Sequence, residues 1–252
     1  MAIAIISDVH ANLEALESVF KDIRKREIED ILFLGDAVGY GPDPNKCIDL
    51  LRRECKVLLA GNHDRAAVGM TDIEYFNEFA RTAIIWTTET LTEEHKAFLS
   101  SLPVSRRFHL STSMVDLPSR TEDIFLVHST PKDPESWHYL FTLWDAEVSF
   151  NYFKERVCLL GHSHVPYVIE REPSGDMMVY RDNALLKKGL RYIINVGSVG
   201  QPRDHDPRAC YAIMDGDQLL FVRVYYNIKK TQKKMSEVGL PRPLIDRLEY
   251  GT

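Results

Sequence analysis

Several common features are scarce in this sequence of 252 residues, and each scarcity excludes a class of protein. Only four cysteines occur and none forms a CxxC pair, so we predict buried free thiols in a reducing compartment rather than a disulfide framework. Apolar runs stay far below the ~20 residues of a membrane span. The start, MAIAIISD, has no basic region and no cleavage signal, so no signal peptide is predicted. We therefore expect a cytoplasmic protein without a membrane anchor.

Positive charge is also in deficit, because 31 Lys and Arg face 37 Asp and Glu, for a formal net charge of −6. Such a chain has no general attraction for nucleic acids, so no nucleic-acid binding is expected. An anionic substrate would need a strong local positive field. Internal repeats and linkers rich in Pro, Gly or Ser are absent as well. We accordingly expect residues 1–252 to form a single domain.

The first 65 residues alternate between short apolar runs and segments with helical spacing. Ala2–Ile6, Ile31–Leu34 and Val57–Ala60 lack polar alternation, which is typical of strands buried on both faces. Asn12 can cap a first helix, and Pro44–Arg53 has the spacing of a second. This order predicts a parallel sheet with helical crossovers.

The rest of the chain is helical at first and then rich in strands. Residues 73–102 are predicted to be mostly helical, with Thr92 opening one helix. Turn residues at 173–176 and 215–217 predict antiparallel hairpins. The Lys-rich helix Ile228–Glu237 is interpreted as a solvated surface. The predicted strands are Ile124–Val127, Val157–Leu160, Val165–Glu170, Met177–Arg181, Tyr192–Val196, Cys210–Met214 and Leu219–Tyr225.

Five of the apolar runs end in the same way, each with Asp, Asn or His directly after it. The carboxyl ends of parallel strands lie side by side, where α/β proteins place their sites. Taken singly, each ending fits a turn, a helix cap or a structural histidine. The endings are Ser7-Asp8-Val9-His10, Gly35-Asp36, Gly61-Asn62-His63-Asp64, His128 and Gly161-His162-Ser163-His164.

Together these residues predict a metal centre, because clustered carboxylates and imidazoles without a cation would leave like charges and lone pairs facing one another. Seven groups are too many for one ion, and the central Asp36 could bridge two. Oxygen and nitrogen donors without sulfur suit Mn, Fe, Zn or Co. Glycines 35, 61 and 161 would let the backbone come close. The seven groups are Asp8, His10, Asp36, Asn62, His128, His162 and His164.

In this order the five segments resemble the signature of the calcineurin-like metallophosphoesterases. The resemblance covers residues 8 to 164 and implies an α/β fold, a four-layer α-β-β-α sandwich of two stacked mixed β-sheets flanked by helices. It also implies two divalent metal ions, with manganese the first expectation. Their charge of +4 against −2 from Asp8 and Asp36 would give the local positive field that a phosphate needs.

The resemblance assigns roles to individual residues. Asp36 would bridge the ions and support catalysis, and a hydroxide between them would attack phosphorus in line. His63 would not bind metal but would act on the leaving group as general acid or hydrogen-bond donor. One ion would be held by Asp8, His10, Asp36 and His164, and the other by Asp36, Asn62, His128 and His162.

The substrate is less defined by sequence. Serine/threonine phosphatases of this superfamily carry G-D-x-x-D-R-G, and Gly39 and Tyr40 replace its second Asp and its Arg, which counts against a protein phosphatase. The segments DVHAN, GYGPDP and INVGSVGQPRD resemble a bacterial branch of small phosphodiesterases and diadenosine-tetraphosphatase-like proteins. In that branch Asn12 and Arg203 are candidate substrate contacts. The alternatives are a helix cap for Asn12 and a surface ion pair with Asp204 or Asp206 for Arg203.

Three functions are therefore open. The first is hydrolysis of small or nucleotide phosphoesters, as a phosphodiesterase or phosphatase. The second is hydrolysis of a dinucleoside polyphosphate, and the loops at residues 66–100 and 129–150 would decide between them. The third is a non-catalytic protein-binding scaffold, which the complete ligand set disfavours. The aromatic cluster Trp137, His138 and Tyr139 fits either packing or a substrate mouth, whereas His95, His109 and His205 are predicted to be structural.

Overall fold

The computed structural model describes residues 2–74, 76–110 and 122–252. The helices are α1 Leu13–Lys25, α2 Pro44–Glu54, α3 Asn62–Ala67, α4 Glu78–Thr90, α5 Glu93–Ser101, α6 Leu143–Phe150, α7 Ile228–Glu237 and α8 Arg242–Asp246, with 3-10 turns at Pro134–Ser136 and Arg247–Glu249. The strands are β1 Ile3–Ile6, β2 Asp30–Phe33, β3 Val57–Leu58, β4 Ser105–Leu110, β5 Glu122–Val127, β6 Val157–Leu160, β7 Tyr167–Arg171, β8 Met177–Tyr180, β9 Ala184–Leu185, β10 Arg191–Asn195, β11 Ala209–Asp215 and β12 Gln218–Val224.

The strands form two six-stranded mixed sheets, in the orders β3-β2-β1-β11-β12-β9 and β4-β5-β6-β10-β7-β8. In the first, β1, β2 and β3 are parallel and β11 is antiparallel to β1. In the second, β5, β6 and β10 are parallel, with antiparallel β4 and β7 beside them. The parallel sheet predicted for the first three apolar runs is confirmed, since β1, β2 and β3 are parallel neighbours. The five strands that carry the motifs are divided between the two sheets.

The side chains of β1 show why its sequence is apolar throughout. Ile3 and Ile5 pack between the sheets with Leu126 and Leu159 of the second sheet. Ala4 and Ile6 face the other way and pack under helices α1 and α2. Helix α6 covers the outer face of the second sheet through Ala146 and Phe150, among other residues. The predicted four-layer α-β-β-α arrangement is confirmed.

Most predicted elements are present with small shifts at their ends. Both hairpins are confirmed: the amide of Glu172 donates to the carbonyl of Asp176 (2.9 Å), and Gly216 has a φ of +58° between β11 and β12. The helices α3, α6 and α8 and the strands β4 and β9 were not predicted from the sequence. Strand β4, SRRFHL, is a polar edge strand, whose sequence shows little of the apolar pattern on which the prediction depends.

Helix α7 is not simply a solvated surface, so that interpretation was wrong for its inner face. Lys234 lies 2.5 Å from Oε1 of Glu14 on α1 and 2.7 Å from Oδ2 of Asp43. Thr231 donates to both Asn12 and Glu14. The helix therefore docks on the start of α1 through a buried carboxylate.

The four cysteines, Cys47, Cys55, Cys158 and Cys210, are buried and unpaired, as predicted. Burial raises the pKa of the Cys210 thiol to about 12. No helix in the described part of the chain is long and apolar enough to cross a bilayer. The structural histidine His95 is buried and bonded to Asn45 and Asp49, which joins α5 to α2.

Candidate metal centre and active site

The carboxyl ends of five strands from the two sheets meet at one end of the sandwich. β1, β2 and β3 bring the first three motifs from one sheet, and β5 and β6 bring the last two from the other. All seven predicted ligands are buried there. Three groups have ligand atoms within 4.8 Å of one another: Asp8 with His10 and His164, Asp36 with His128 and His162, and His10 with Asp36 and His63. The first two, called the two clusters below, share no residue. This division agrees with the two-metal assignment, which stays a prediction.

Asp36 lies between the two clusters. Its Oδ2 is 3.6 Å from Nε2 of His10 and 3.2 Å from Nε2 of His128. Its Oδ1 accepts a hydrogen bond from the backbone amide of His63 (2.9 Å). One oxygen of the carboxylate, Oδ1, is therefore held by a protein hydrogen bond, and the other, Oδ2, lies close to both clusters. This arrangement suits a bridging ligand.

Three histidines have their ring orientation set by a backbone carbonyl. A carbonyl can only accept, so each Nδ1 carries a proton and each Nε2 is the nitrogen left to face the clusters. The pairs are His10 with Val38 (3.0 Å), His128 with Leu34 (3.1 Å) and His164 with Gln201 (2.6 Å). The Nε2 atoms of His10 and His164 lie only 3.0 Å apart. Two lone pairs at that distance repel unless a cation or a proton lies between them.

His162 is oriented in the opposite sense. Its Nε2 lies 2.9 Å from the carbonyl of Trp137, so Nδ1 is the nitrogen left with a lone pair for the cluster with Asp36 and His128. Asn62 adds an oxygen, since its Oδ1 is buried and has no hydrogen-bond partner among the described residues. A buried acceptor without a donor is costly, and a cation would satisfy it. The donor set thus fits the divalent metals that the motifs imply.

The backbone of the ligand loops is held in an uncommon conformation. Left-handed φ values are rare for residues other than glycine and concentrate at functional sites. Five of the seven predicted ligands have them: Asp8 (+53°), His10 (+48°), Asp36 (+60°), His162 (+66°) and His164 (+62°). The i, i+2 spacing of His162 and His164 would send them to opposite faces of a strand, but β6 ends at Leu160 and this turn directs both inward.

Glycines at two positions make room for the carboxylates, as the sequence predicted. A Cβ on Gly61 would lie 2.1 Å from Oδ1 of Asp36, and one on Gly161 would lie 2.5 Å from Oδ2 of Asp8. Neither position can therefore carry a side chain without displacing a predicted ligand.

Burial and neighbouring charges set the protonation of the cluster. Burial holds the pKa of His10 well below its usual value and lowers the pKa of His162 to about 3, so both rings are neutral. Burial opposes ionisation of Asp36, but His128 and His63 hold its pKa well below the ordinary range. Burial lowers the pKa of His128 as well, but Asp36 outweighs it and raises that pKa to about 9. A divalent cation would take the place of the proton on His128.

His63 lies beside the clusters, with its ring between those of Tyr40 (4.4 Å), His10 (4.8 Å) and Phe76 (4.9 Å). Its Nδ1 is buried and has no hydrogen-bond partner among the described residues. Burial lowers its pKa to about 4, although the charge of Asp36 opposes the shift. Its nitrogen also lies within ligand distance of His10 and Asp36, so position alone allows both a catalytic and a coordinating role.

The part played by Asp64 was not predicted from the sequence. Its carboxylate is fully buried and accepts hydrogen bonds from the amides of Asp36 (2.8 Å), Val38 (3.1 Å) and Gly61 (3.0 Å). Burial, together with the charge of Asp36, raises its pKa to about 7. Asp64 therefore joins the loops after β2 and β3, and its place as last residue of Gly61-Asn62-His63-Asp64 was the available signal.

Asn195 was missed as well, although it stands in the quoted segment INVGSVG. Its Nδ2 donates to the carbonyl of Gly161 (2.5 Å) and to Oγ of Ser163 (2.9 Å). Its Oδ1 accepts from the amide of Gly197 (3.0 Å). The end of β10 thus holds the loop that carries His162 and His164.

The two predicted substrate contacts differ. Asn12 caps α1 by accepting from the amide of Ala15 (3.2 Å) and donates to the carbonyl of Gly200 (2.8 Å). These bonds agree with its helix-cap alternative, and substrate contact by Asn12 stays a prediction.

Arg203 lies beside the clusters, and its charge contributes, after burial, to the lowered pKa of His164. The surface ion pair proposed as its alternative is absent from the described residues, because Asp204 pairs with Arg223 and Asp206 with Arg208. Its guanidinium is therefore available to a ligand, and a phosphate contact stays the prediction for it.

A cleft of about 270 Å³ opens beside Asn62 and His162. Its walls include Phe76, Trp137 and Tyr139. Tyr139 stacks on the His162 ring, with centroids 4.1 Å apart and planes 19° apart. Two residues of the predicted aromatic cluster thus line this cleft, and its use as a substrate mouth stays a prediction.

Comparisons with known proteins agree with this site. A profile of the calcineurin-like phosphoesterase superfamily domain matches residues 1–218, which include every predicted metal ligand. The chain is 39% identical to an uncharacterized protein of Methanocaldococcus jannaschii over 251 residues, 99% of this chain and 98% of that protein. It is similar to the crystal structure of a metallophosphoesterase from Sphaerobacter thermophilus, with TM-score 0.81, 41% identity and coverage of 100% and 99%. A hypothetical protein of Pyrococcus horikoshii OT3 shares the fold, with TM-score 0.79, 19% identity and coverage of 100% and 98%.

Proposed function

The chain belongs to the calcineurin-like phosphoesterase superfamily and is a metal-dependent phosphoester hydrolase, and on that premise we propose that it uses two divalent cations to hydrolyse small or nucleotide phosphoesters. The observation that carries the proposal is the position of Asp36, whose Oδ2 lies within 3.6 Å of a histidine nitrogen from each cluster. One carboxylate shared by two clusters of histidine nitrogens and side-chain oxygens is suited to a bridged pair of ions.

When bound, two divalent cations supply Lewis acidity and an activated water. Manganese is the first candidate, with iron, zinc and cobalt as alternatives, since nitrogen and oxygen donors suit all four. Asp8, His10 and His164 would hold one ion and Asn62, His128 and His162 the other, with Asp36 between them.

His63 is proposed to act on the leaving group. Its Nδ1 is not used by the protein, and its ring stands in a pocket of aromatic side chains next to the clusters. From there it can donate a hydrogen bond or a proton to the oxygen that leaves phosphorus. The Asp that supports this histidine in serine/threonine phosphatases is replaced by Gly39, so a protein phosphatase is not proposed.

The cleft supports a nucleotide or aryl phosphoester. Aromatic walls formed by Phe76, Trp137 and Tyr139 offer stacking for a planar leaving group next to His162. A dinucleoside polyphosphate hydrolase is the second candidate, because the cationic Arg203, whose amide donates to the carbonyl of His164 (3.2 Å), adds an anion contact to this cleft beside His162. The complete set of predicted ligands argues against a non-catalytic scaffold.

The experiment is an activity panel on protein loaded with Mn²⁺ and, in parallel, with Zn²⁺ and Co²⁺. The substrates are bis-p-nitrophenyl phosphate, p-nitrophenyl phosphate, cyclic nucleotides and diadenosine tetraphosphate, with Asp36→Asn as the inactive control. Metal-dependent turnover of the phosphodiester or monoester that the control lacks is expected. Turnover of diadenosine tetraphosphate alone would select the second candidate, and no turnover of any substrate with any metal would reject the proposal.

A further inference from the structure

Two arginine side chains, Arg203 and Arg247, approach the ring of Tyr40 next to the metal centre. Their Cζ atoms lie 5.7 Å and 4.8 Å from the ring centre. The same ring contacts His10 (4.6 Å) and His63 (4.4 Å). The pair of guanidinium groups is therefore separated from a predicted metal ligand by a single aromatic ring.

Neither guanidinium has an acidic partner among the described residues. Arg203 donates to the neutral Gln201 (3.0 Å) and, at 3.4 Å, to the Tyr40 hydroxyl, and its Nε is buried without a partner. Arg247 leaves both Nε and Nη2 buried without a partner. Burial, and then the charge of Arg203, lower the pKa of Arg247 to about 10. The two guanidinium groups thus lie close enough for each charge to disfavour the other, and both have N–H donors without an acceptor among the described residues.

The pair is built by the chain's own C-terminal segment. Arg247 opens the 3-10 turn Arg247–Glu249, and Leu244 and Leu248 on either side of it pack in the cluster that contains Tyr40. This segment lies beyond residue 218, where the family profile ends. Its packing fixes the backbone of Arg247 beside Tyr40, where the guanidinium lies over the ring.

Buried, unpaired guanidinium donors are costly unless a ligand supplies acceptors, and their planar fork matches phosphate oxygens. We propose that Arg203 and Arg247 form a second anion subsite that binds a phosphoryl group of the substrate next to the one that is hydrolysed. The preferred substrate is then a phosphoester or phosphoanhydride that carries a second phosphoryl group beside the one that is hydrolysed. This inference rests on the proposed function for the position of the hydrolysed group.

The test is a binding measurement that needs no turnover. Isothermal titration calorimetry compares methylenediphosphonate, a stable two-phosphoryl probe, with inorganic phosphate on Mn²⁺-loaded protein freed of excess metal. Arg247→Ala should weaken the binding of methylenediphosphonate by at least about tenfold and the binding of phosphate by less than about threefold. Arg247→Gln, which keeps part of the aliphatic stem, should show the same selective loss if the alanine variant does not fold.

Arg242→Ala is the matched control, because Arg242 lies five residues away, is exposed and pairs with Asp246. It should bind both probes as the unsubstituted protein does. Equal weakening of both probes by Arg247→Gln, or no weakening of either, would overturn the subsite. Selective loss of methylenediphosphonate in a protein that hydrolyses no phosphoester would support the subsite and reject the proposed function, so the two failures are distinguishable.

Discussion

Each of the four predicted histidine ligands is oriented by a hydrogen bond from the ring nitrogen that does not face the metal centre. A backbone carbonyl fixes each ring, through Nδ1 in His10, His128 and His164 and through Nε2 in His162. The sequence predicted which residues meet, because each follows a buried strand. It could not predict these carbonyl contacts, since the partners Val38, Leu34, Trp137 and Gln201 carry no side-chain signal for them.

Single variants of Asp36 and His63 should differ in whether they lose metal binding together with turnover. Asp36→Asn should lose metal loading and turnover together, because the shared ligand loses its charge. His63→Ala should keep both metals and lose roughly 10²- to 10⁴-fold in kcat, the usual contribution of an acid or hydrogen-bond donor. Metal content and kcat on an alkyl phosphoester, a poor leaving group, are the measurements. Unchanged turnover of that substrate by His63→Ala would show that the assigned role is wrong.

Gly39 should matter because of His63. A Cβ at Gly39 would lie 2.4 Å from Nδ1 of His63. Gly39→Ala is therefore expected to displace the ring and lower kcat by at least about tenfold while the metal content stays the same. Gly69→Ala is the matched control, because Gly69 has a similar φ (+73° against +85°) and no atom within 4 Å of its Cβ position. Equal loss of kcat in both variants would mean that backbone strain, not the clash, is responsible.

At the scale of elements, apolar runs and turn residues predicted most strands and helices. The apolar runs marked strands such as β1, β2 and β6 because these are buried on both faces. The docking of α7 was not predictable from its own sequence. Its lysines fit a solvated helix, and only the folded chain brings Lys234 to Glu14. Long-range charge pairs of this kind have no signal at fixed spacing.

The α7 contact should give a defined pH dependence. Burial opposes ionisation of Glu14, but hydrogen bonds from Lys234 and Lys230 prevail and lower its pKa below the ordinary 4.5. A carboxylate whose pKa is lowered by folding stabilises the folded protein when the pH is above the pKa of the unfolded state. That stabilisation is lost as the pH falls through the pKa of the folded state. Glu14→Gln should therefore cost about 1 kcal/mol at pH 7 and progressively less below pH 4.5.

Urea unfolding of metal-free protein at pH 7 and at acidic pH measures this difference. Glu17→Gln, at an exposed position of the same helix, is the control and should cost less than about 0.5 kcal/mol at both pH values. A cost for Glu14→Gln that is the same at both pH values would contradict the charge-pair explanation.

At the scale of the whole molecule, the site joins the two sheets. Asp8, Asp36 and Asn62 come from one sheet, and His128, His162 and His164 from the other. The apolar runs predicted parallel strands that end at one edge. The arrangement in two stacked sheets was predicted only from the resemblance to a family. Hydrophobic pattern alone does not tell which of two stacked sheets a buried strand joins, since both bury both faces.

Metal binding should therefore stabilise the fold. An ion held by ligands from both sheets binds the folded state and not the unfolded chain, which at 100-fold excess over Kd adds about 2.7 kcal/mol. Removal of metal with a chelator should lower Tm by roughly 5 °C or more for a domain of this size. Differential scanning calorimetry with and without added Mn²⁺ measures the shift. Asp36→Asn should show little of it, and an equal shift in that variant would place the stabilising metal elsewhere.

The central claim is that two metal ions share Asp36 where the sheets meet. Anomalous diffraction at the manganese edge, from crystals of Mn²⁺-loaded protein, tests it most directly. We expect two peaks roughly 3.5–4 Å apart. One should be bounded by Asp8, His10 and His164, the other by Asn62, His128 and His162, with Asp36 between them. A single peak, or peaks away from these residues, would contradict the account.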